Sequence, residues 1–422
     1  MNPRERVQRA LAAIQAADDP ACHISLHARE RLLAMADAVD PAAPLAGMVF
    51  SVKDNIDVIG LQTTAGCPAY AYWPEQNALA IQRLVVAGAV CIGKTNLDQF
   101  ATGLVGTRSP YGIPRNDRAP GHIPGGSSSG SAVSVARGEV DFALGTDTAG
   151  SGRVPAAFNG IVGCKPSCGL VSSRGVVPAV RSIDCVTILA RDCILAKTVL
   201  ATMAVYDPAD PFSRRLLPRI GPAHPSVAVL DERWLARCDA PVRVAYQRSL
   251  DRARGLGWQL QELDYEPLAE AAALLYEGPL VAERTAAVGD FIRDHLDACD
   301  PTVAEIITGG FRYPAVQAYL AQYRLFELRR WLEQRWQHDW DMILLPTTPC
   351  HPTLEEVDND KMAVNTRLGT FTNFANLLDT AAVAVPGVAR ADGLPAGVTC
   401  FGPAFSDDWL LHRAADLHTA CL

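Results

Sequence analysis

The chain has 422 residues, of which 49% are hydrophobic and 20% are charged, and its formal net charge at pH 7 is −8. This acidic balance, without a cluster of lysines and arginines interleaved with aromatic residues, argues against a nucleic-acid partner. The sequence contains no run of eighteen apolar residues, and its first residues predict an amphipathic helix instead of a signal peptide. We therefore expect no membrane association and a cytoplasmic location.

The 12 cysteines include no C-x-x-C pair, and the closest two are Cys164 and Cys168. In a long chain without a secretion signal, cysteines are predicted to be reduced and mostly buried. The 9 histidines do not fall at metal-ligand spacing beside these cysteines. We therefore expect no metal site and no organic cofactor.

In the first half of the chain, short apolar strands are predicted to alternate with helices. The predicted elements are helices within 1–40 with a break at 18–20, a strand and turn over 47–59, a helix over 78–87 that Gly88 ends, a strand over 90–92, a helix capped by Thr95 or Asn96, a helix over 131–137 and a strand over 141–144. This alternation predicts an α/β fold in which a large sheet is covered by helices.

The second half begins with a proline-rich connection over 208–225 and continues with a strongly helical region over 240–340. A long charged helix is predicted near 317–340. Strand signals return at 342–345 and 381–385. Because these late strands most simply rejoin the first sheet, we expect one domain over 1–422 with a helical subregion at 205–340.

Two familiar motifs occur in contexts that do not suit them. Residues 88–95 fit the P-loop pattern, but the four middle residues form the predicted strand and cannot also form a phosphate-binding loop. Residues 126–130 fit the nucleophile elbow of hydrolases with a histidine-based triad, but the polar stretch before them offers no strand. We therefore expect neither nucleotide binding nor a Ser–His–Asp triad.

Two segments rich in glycine and hydroxyl groups are the strongest catalytic signal. They read Gly-Gly-Ser-Ser-Ser-Gly-Ser at 125–131 and Gly-Thr-Asp-Thr-Ala-Gly-Ser at 145–151. Glycines let backbone N–H groups approach a ligand, and a serine beside them can act as a nucleophile. A buried lysine with a lowered pKa can serve as the base, and Lys53, which follows an apolar strand, is the candidate. The alternative is a strand-end lysine paired with Asp54 or another acid.

Three separated motifs together resemble the amidase signature family over nearly the whole chain. They are Val-Lys-Asp-Asn at 52–55, Gly-Gly-Ser-Ser at 125–128 and Gly-Thr-Asp-Thr-x-Gly-Ser-x-Arg-x-Pro at 145–155. The resemblance implies the large mixed sheet of that family. It also implies a Ser–Ser–Lys triad, with Ser151 as the nucleophile, Ser127 as a bridging serine after a cis peptide, and Lys53 as the base.

The resemblance further implies an oxyanion hole made by backbone N–H groups, namely those of Thr148, Ala149, Gly150 and Ser151. The family usually has Gly-Gly before the nucleophile, whereas this chain has Ala149-Gly150. An alanine fits there comfortably only if its φ is negative. Asp147 and Arg153 are expected to brace this loop without reacting.

Within the family, residues 96–109, 373–379 and 402–407 resemble the allophanate hydrolases in particular. These enzymes hydrolyse allophanate (urea-1-carboxylate) in urea or cyanuric acid breakdown, so the resemblance implies a small anionic amide as substrate. It implies that Tyr276 and Arg284 hold the substrate carboxylate and that the backbone of Gly103 lines the pocket. Pro279 suits the first turn of a helix that carries Arg284. The alternatives are a surface Arg–Glu pair with a packing tyrosine, and a helix-ending glycine at position 103.

Family precedent also implies a homodimer and, commonly, a further C-terminal domain, which we expect this chain to lack. Three other functions remain open at this point. The chain could be a broad or malonamate-type amidase, an amidotransferase subunit that depends on partners and ATP, or a scaffold with the fold but without activity.

Overall fold

The computed structural model describes residues 1–276 and 278–422. The strands of the described residues are β1 (His23–Leu26), β2 (Val49–Lys53), β3 (Val90–Thr95), β4 (Phe142–Asp147), β5 (Val162–Lys165), β6 (Cys185–Ala190), β7 (Ser226–Leu230), β8 (Gln259–Leu263), β9 (Met342–Pro346), β10 (Thr380–Pro386) and β11 (Gly397–Pro403). They form one sheet in the order β1-β3-β2-β4-β6-β5-β10-β11-β9-β7-β8. Because β2 runs parallel to β3 and β4 while β4 runs antiparallel to β6, the sheet is mixed.

Helices flank this sheet along the whole chain. They are α1 (Pro3–Ala17), α2 (Arg29–Asp37), α3 (Leu79–Val86), α4 (Ser129–Ala136), α5 (Arg153–Asn159), α6 (Cys193–Met203), α7 (Glu232–Leu235), α8 (Ala240–Gly255), α9 (Glu266–Tyr276), α10 (Ala282–Asp294), α11 (Pro301–Thr308), α12 (Ala315–His338), α13 (Leu354–Asn359), α14 (Lys361–Leu368), α15 (Phe374–Leu377) and α16 (Asp407–Cys421). In the part of the chain that the structure describes, no helix combines the length and the hydropathy that a bilayer span requires.

Strand β2 shows why both faces of the sheet are covered. Side chains alternate between the two faces of a strand, and all five residues of β2 are buried. Phe50 and Val52 pack in a large core with Ile81 of α3 and with residues of α6 and α16. Val49 points to the other face and packs with residues of α1, α2 and α4, such as Val135. The predicted α/β fold, with a large mixed sheet and helices on both faces, is confirmed.

Several predicted elements are confirmed in place. The helix after residue 78 is α3, residues 90–92 lie in β3, and the long charged helix is α12. The late strands β9 and β10 pair, through β11 and β5, into the same sheet as β2. Residues 90–95, the middle and end of the apparent P-loop, are strand, and no strand directly precedes the apparent elbow at 126–130 among the described residues.

Three expectations about local structure are wrong. Residues 23–26, expected as helix, form β1, because they pair antiparallel with β3 at the sheet edge. Residues 259–263, expected as helix, form β8, which is largely exposed and is defined by pairing with β7. Thr95 caps no helix, because β3 runs on to Thr95 and pairs with both β1 and β2. Asn96 caps none either, since its side-chain oxygen accepts from the adjacent Leu97 N–H.

Candidate active site

The site lies where two parallel strands end on the same edge of the sheet. Lys53 is the last residue of β2, and Asp147 is the last residue of β4, which runs parallel to it. The carboxyl ends of parallel strands are where ligands bind in α/β sheets, because the loops that follow converge there. Thr148 and the residues up to Gly152 form the loop between β4 and α5.

The side chain of Lys53 points from the sheet toward α4. Lys53 lies on the same face of β2 as Ser51, whose Oγ is 3.0 Å from Ser134 Oγ on α4. The fully buried Lys53 Nζ lies 2.7 Å from Ser127 Oγ and 2.8 Å from Thr146 Oγ1. Burial lowers the pKa of Lys53 to about 7, although nearby carboxylates, with Asp98 first, oppose the shift. The amine can therefore be neutral at physiological pH, as a base must be.

The alternative pairing of Lys53 with Asp54 does not occur. Asp54 Oδ1 lies 2.9 Å from the Nζ of Lys94, and both of these side chains are fully buried. Asp54 is the first residue after β2, and its carboxylate reaches Lys94 of the neighbouring strand β3. Asp54 therefore pairs with Lys94, and the contacts of Lys53 Nζ are two hydroxyl groups and a carbonyl.

Ser127 lies in the segment just before α4, after a cis peptide bond between Gly126 and Ser127. The carbonyl of Ser127 accepts from the Asp98 N–H at 3.2 Å, so the segment is attached to the loop that follows β3. The next residue, Ser128, donates through its hydroxyl to the Thr146 carbonyl at 3.2 Å. Ser127 is therefore turned toward Lys53, while Ser128 ties α4 to β4.

Ser151 lies in the loop between β4 and α5 and is 3% exposed. Its carbonyl accepts from the Ser128 N–H at 3.2 Å, which brings the two serine-bearing segments side by side. Within the described residues, Ser151 Oγ donates to the Gly103 carbonyl at 3.5 Å and makes no hydrogen bond to Ser127 Oγ. The structure thus joins Lys53 to Ser127 and places Ser151 beside them with its hydroxyl turned to Gly103.

A buried ion pair holds the Ser151 loop. Arg153 donates to Asp147 through two nitrogens, each at 2.9 Å, and both side chains are fully buried. The same carboxylate accepts from the N–H groups of Gly150 and Gly152. Although burial opposes ionisation, Arg153 keeps the pKa of Asp147 below its usual value. Asn376 adds a further tie by donating to the Asp147 carbonyl at 2.7 Å. Asp147 and Arg153 therefore brace the loop that carries Ser151, as the sequence predicted.

The four backbone amides of the predicted oxyanion hole are not equivalent. Among the described residues, the N–H groups of Thr148, Ala149 and Ser151 donate to no protein acceptor, whereas that of Gly150 donates to Asp147 Oδ1 at 2.8 Å. Ala149 keeps a negative φ, and Gly150 has a φ of 128°. The loop therefore accommodates alanine without strain, while Gly150 supplies the positive φ that glycine adopts readily.

Arg284 is buried at 1% exposure, which is inconsistent with a surface Arg–Glu pair. It lies in the first turn of α10, which follows a short turn beginning at Pro279. Arg284 donates to the hydroxyl of Tyr276, at the end of α9, and to Thr102 Oγ1, each at 3.0 Å. Its Nε has no hydrogen bond among the described residues. A buried guanidinium with a free donor is suited to an anionic ligand.

The segment that contains Gly103 connects this arginine to the candidate nucleophile. Thr102 contacts Arg284, and the adjacent Gly103 accepts from Ser151. Gly103 has a φ of 151° and does not end an α-helix, and a Cβ there would lie 2.7 Å from Asp98 Oδ2. Asp98 also accepts from the N–H groups of Gly106 and Arg108, so it holds the segment in shape.

Four residues of the site were not singled out from the sequence, namely Thr102, Thr146, Asp98 and Asp184. Asp184 accepts from the Thr148 hydroxyl beside the loop amides, and burial raises the pKa of Asp184 to about 6. Thr102, Thr146 and Asp98 lie inside the motifs that carry the family resemblance, and this resemblance was the sequence signal that pointed to their segments. No local pattern distinguishes Asp184.

Comparison with known proteins shows the family of the chain. The sequence pattern of the amidase family matches residues 5–411. The chain belongs to the amidase family. It is thereby classed with hydrolases that act on carbon–nitrogen bonds of amides, as the resemblance predicted.

Three individual proteins show more closely what this chain is similar to. The chain is 44% identical over 382 residues to the urea amidolyase of Saccharomyces cerevisiae, which covers 88% of this chain and 20% of that protein. The structure of Kluyveromyces lactis allophanate hydrolase matches with a TM-score of 0.93 and 39% identity, over 100% of this chain and 71% of that one. A glutamyl-tRNA(Gln) amidotransferase subunit of Thermus thermophilus is 34% identical, over 98% of this chain and 93% of that protein. The chain thus spans one fifth of the urea amidolyases that it matches.

Proposed function

We propose that this chain hydrolyses allophanate and releases ammonia through an acyl-enzyme on Ser151. The observation that carries the proposal is the continuous path from Arg284 through Thr102 and Gly103 to Ser151. It places a candidate anion-binding group and a candidate nucleophile on the two sides of one short segment. The similarity to an allophanate hydrolase and to urea amidolyases supports this substrate.

The first step is a proton relay that ends on Lys53. A neutral amine has two N–H groups and one lone pair, and the two oxygens of Thr146 near Nζ can accept both N–H groups. The lone pair then faces Ser127 Oγ at 2.7 Å. For the relay, Ser151 Oγ turns from the Gly103 carbonyl to Ser127, donates its proton there, and Ser127 passes its own proton to Lys53.

The second step forms and breaks the covalent bonds. Ser151 Oγ bonds to the terminal amide carbon of allophanate, and the carbonyl oxygen takes the electron pair. The free N–H groups of Thr148, Ala149 and Ser151 are the proposed oxyanion donors, and Gly150, whose N–H is engaged, shapes the turn. When this tetrahedral intermediate collapses, the C–N bond breaks. The proton returns through Ser127 to the leaving nitrogen, which departs as ammonia. Water then attacks the acyl-enzyme by the same relay and regenerates Ser151.

A substrate panel tests the proposal. Ammonia release is measured with purified protein and allophanate, biuret, malonamate and a neutral primary amide, first without and then with ATP and amidotransferase partner subunits. We expect allophanate to give the highest kcat/KM. A preference for malonamate would favour the malonamate-type alternative, and dependence on ATP and partner subunits would favour an amidotransferase subunit. The second of these alternatives is supported by the nearly full-length similarity to the Thermus thermophilus protein.

Removal of the Arg284 guanidinium is expected to affect binding of the anionic substrate most. In Arg284→Ala, KM for allophanate should rise by about 10- to 100-fold, the value of a hydrogen bond to a charged group, with a smaller change in kcat. Tyr276→Phe should have a smaller effect in the same direction. The control is a neutral amide, for which kcat/KM should stay nearly constant. Equal losses on both substrates would contradict the role of Arg284 in binding the carboxylate.

We further propose that residues 1–422 act as one amidase unit that forms homodimers. The N-terminal half of α12 exposes five large apolar side chains on one stripe, each 58–69% exposed, namely Val316, Tyr319, Leu320, Tyr323 and Phe326. Monomeric proteins seldom leave such a contiguous apolar stripe exposed, and a specific interface that covered it would bury ~800 Å² per partner. Helix α12 also packs on α9, which carries Tyr276.

Charges placed in this stripe should dissociate the dimer. Leu320→Glu with Tyr323→Glu is expected to convert the protein to monomers in sedimentation velocity, because each carboxylate would be buried without a partner. Val244→Glu, at an apolar residue of α8 that is 43% exposed and lies outside the stripe, is the matched control and should leave the sedimentation coefficient unchanged. A parent protein that sediments as a monomer would contradict the dimer.

A further inference from the structure

A second group of chemically reactive side chains lies away from the catalytic residues. Cys22 and His23, at the start of β1, meet Glu139, which follows α4. One donor atom from each residue lies within 4.8 Å of the other two. Thiolate, imidazole and carboxylate are the three ligand types that zinc prefers in proteins. The proposed hydrolysis uses none of these residues.

The distances in this cluster are close to those of a zinc site. In a tetrahedral site with ordinary bond lengths, sulfur and oxygen ligands are about 3.6 Å apart and nitrogen and oxygen ligands about 3.3 Å apart. Cys22 Sγ lies 3.8 Å from Glu139 Oε2, and His23 Nε2 lies 2.8 Å from the same oxygen. The distance from His23 Nε2 to Glu139 Oε2 has to open by roughly half an ångström to admit the ion, and the third pair, Cys22 and His23, lies within 4.8 Å.

The charges around the cluster favour a cation. Glu139 is one of three carboxylates here, with Asp19 and Asp117, and Arg137 contacts all three. Arg115 pairs with Asp117 as well. Three carboxylates thus face two guanidinium groups, and a thiolate at Cys22 would add a further negative charge. A divalent ion would make the whole group neutral when His23 is uncharged.

We propose that Cys22, His23 and Glu139 bind a zinc ion, with water as the fourth ligand. The ion would link the start of β1 to Glu139, in the segment that follows α4. The Cys22 thiol is also directed at the Gly130 carbonyl, 3.5 Å away, in the first turn of α4, the helix that Ser127 and Ser128 precede. Zinc binding is therefore expected to stabilise the framework of the site without taking part in the chemistry.

The test is metal binding followed by absorption spectroscopy on the full chain. Protein stripped with a chelator is titrated with Co²⁺, which substitutes for zinc and gives a near-ultraviolet charge-transfer band only when a thiolate coordinates it. We expect one Co²⁺ per chain with this band, displaced by Zn²⁺, and a Tm raised by roughly 2–5 °C with saturating Zn²⁺. Failure to bind either ion at micromolar concentration would overturn the proposal.

Single substitutions identify the ligands. Cys22→Ser should abolish the charge-transfer band, and His23→Gln and Glu139→Gln should each weaken Co²⁺ binding by at least about tenfold. Cys421→Ser, at a cysteine that is only partly buried, is the matched control and should keep both the band and the affinity. If Cys22→Ser does not fold, the His23→Gln variant provides the test of the site. An unchanged charge-transfer band and an unchanged Co²⁺ affinity in His23→Gln would overturn the proposal. Ammonia release is not the readout, so this test and that of the proposed hydrolysis can fail separately.

Discussion

Replacement of Ser151 by alanine is expected to lower kcat for ammonia release from allophanate by about 10⁵-fold, because the acyl-enzyme can no longer form. Ser151 is buried, and among the described residues its hydroxyl makes a single long hydrogen bond, to the Gly103 carbonyl. Its removal should therefore leave the fold unchanged, with a Tm within a few degrees of the parent protein. The measurement is a coupled ammonia assay, together with mass spectrometry of protein quenched during turnover, which should show an acyl adduct on the parent and none on Ser151→Ala.

Ser128 is the matched control for this variant. It is the serine that the nucleophile-elbow pattern would select, and its hydroxyl binds the Thr146 carbonyl. Ser128→Ala should therefore retain activity within about tenfold and should still form the adduct, since it loses only structural hydrogen bonds. Loss of the adduct in Ser128→Ala and its retention in Ser151→Ala would reverse the assignment.

Replacement of Lys53 by methionine is expected to reduce kcat to a similar extent, because Lys53 supplies the amine that contacts Ser127. Methionine keeps most of the side-chain volume and removes the amine, so the core around β2 stays filled. For the parent protein, burial lowers the pKa of Lys53 to about 7. Because the base acts in its deprotonated form, kcat/KM should rise with pH, follow a single ionisation near pH 7, and reach a plateau above it.

Lys53→Arg separates proton transfer from simple electrostatics. Arginine retains a positive charge at every relevant pH, so it cannot accept the proton of Ser127. We expect Lys53→Arg to be as inactive as Lys53→Met. Substantial activity in Lys53→Arg, or a parent pH profile that is flat between pH 6 and 9, would contradict the role of Lys53 as base.

The comparison of Lys53 with Lys94 shows what local sequence leaves open. Both lysines end or nearly end buried strands, and both follow apolar residues. Lys94 pairs with Asp54, whereas Lys53 Nζ, within the part of the chain that the structure describes, contacts hydroxyl and carbonyl oxygens only. The difference depends on which neighbouring strand and helix each side chain meets. Without the family resemblance, the sequence could not have separated a structural lysine from a candidate base.

The loop before Ser151 shows a second limit of sequence reasoning. The motif places four amides in a row, but the carboxylate of Asp147 engages that of Gly150 and leaves three free among the described residues. Which amides are available depends on the fold of the loop around the pair formed by Asp147 and Arg153. The motif correctly indicated a braced turn, and the tertiary contacts decided which of its N–H donors are left without a protein acceptor among the described residues.

The sequence by itself determined the features that depend on neighbouring residues. Apolar alternation predicted the α/β layers, and the glycine- and serine-rich motifs indicated where candidate catalytic groups lie, because periodicity and backbone requirements are local properties. Only the tertiary structure decided which distant groups meet. Lys53 and Ser127 are 74 residues apart, Thr102 and Arg284 are 182 apart, and His23 and Glu139 are 116 apart. Such contacts arise from the packing of whole strands and helices, and no window of sequence contains them.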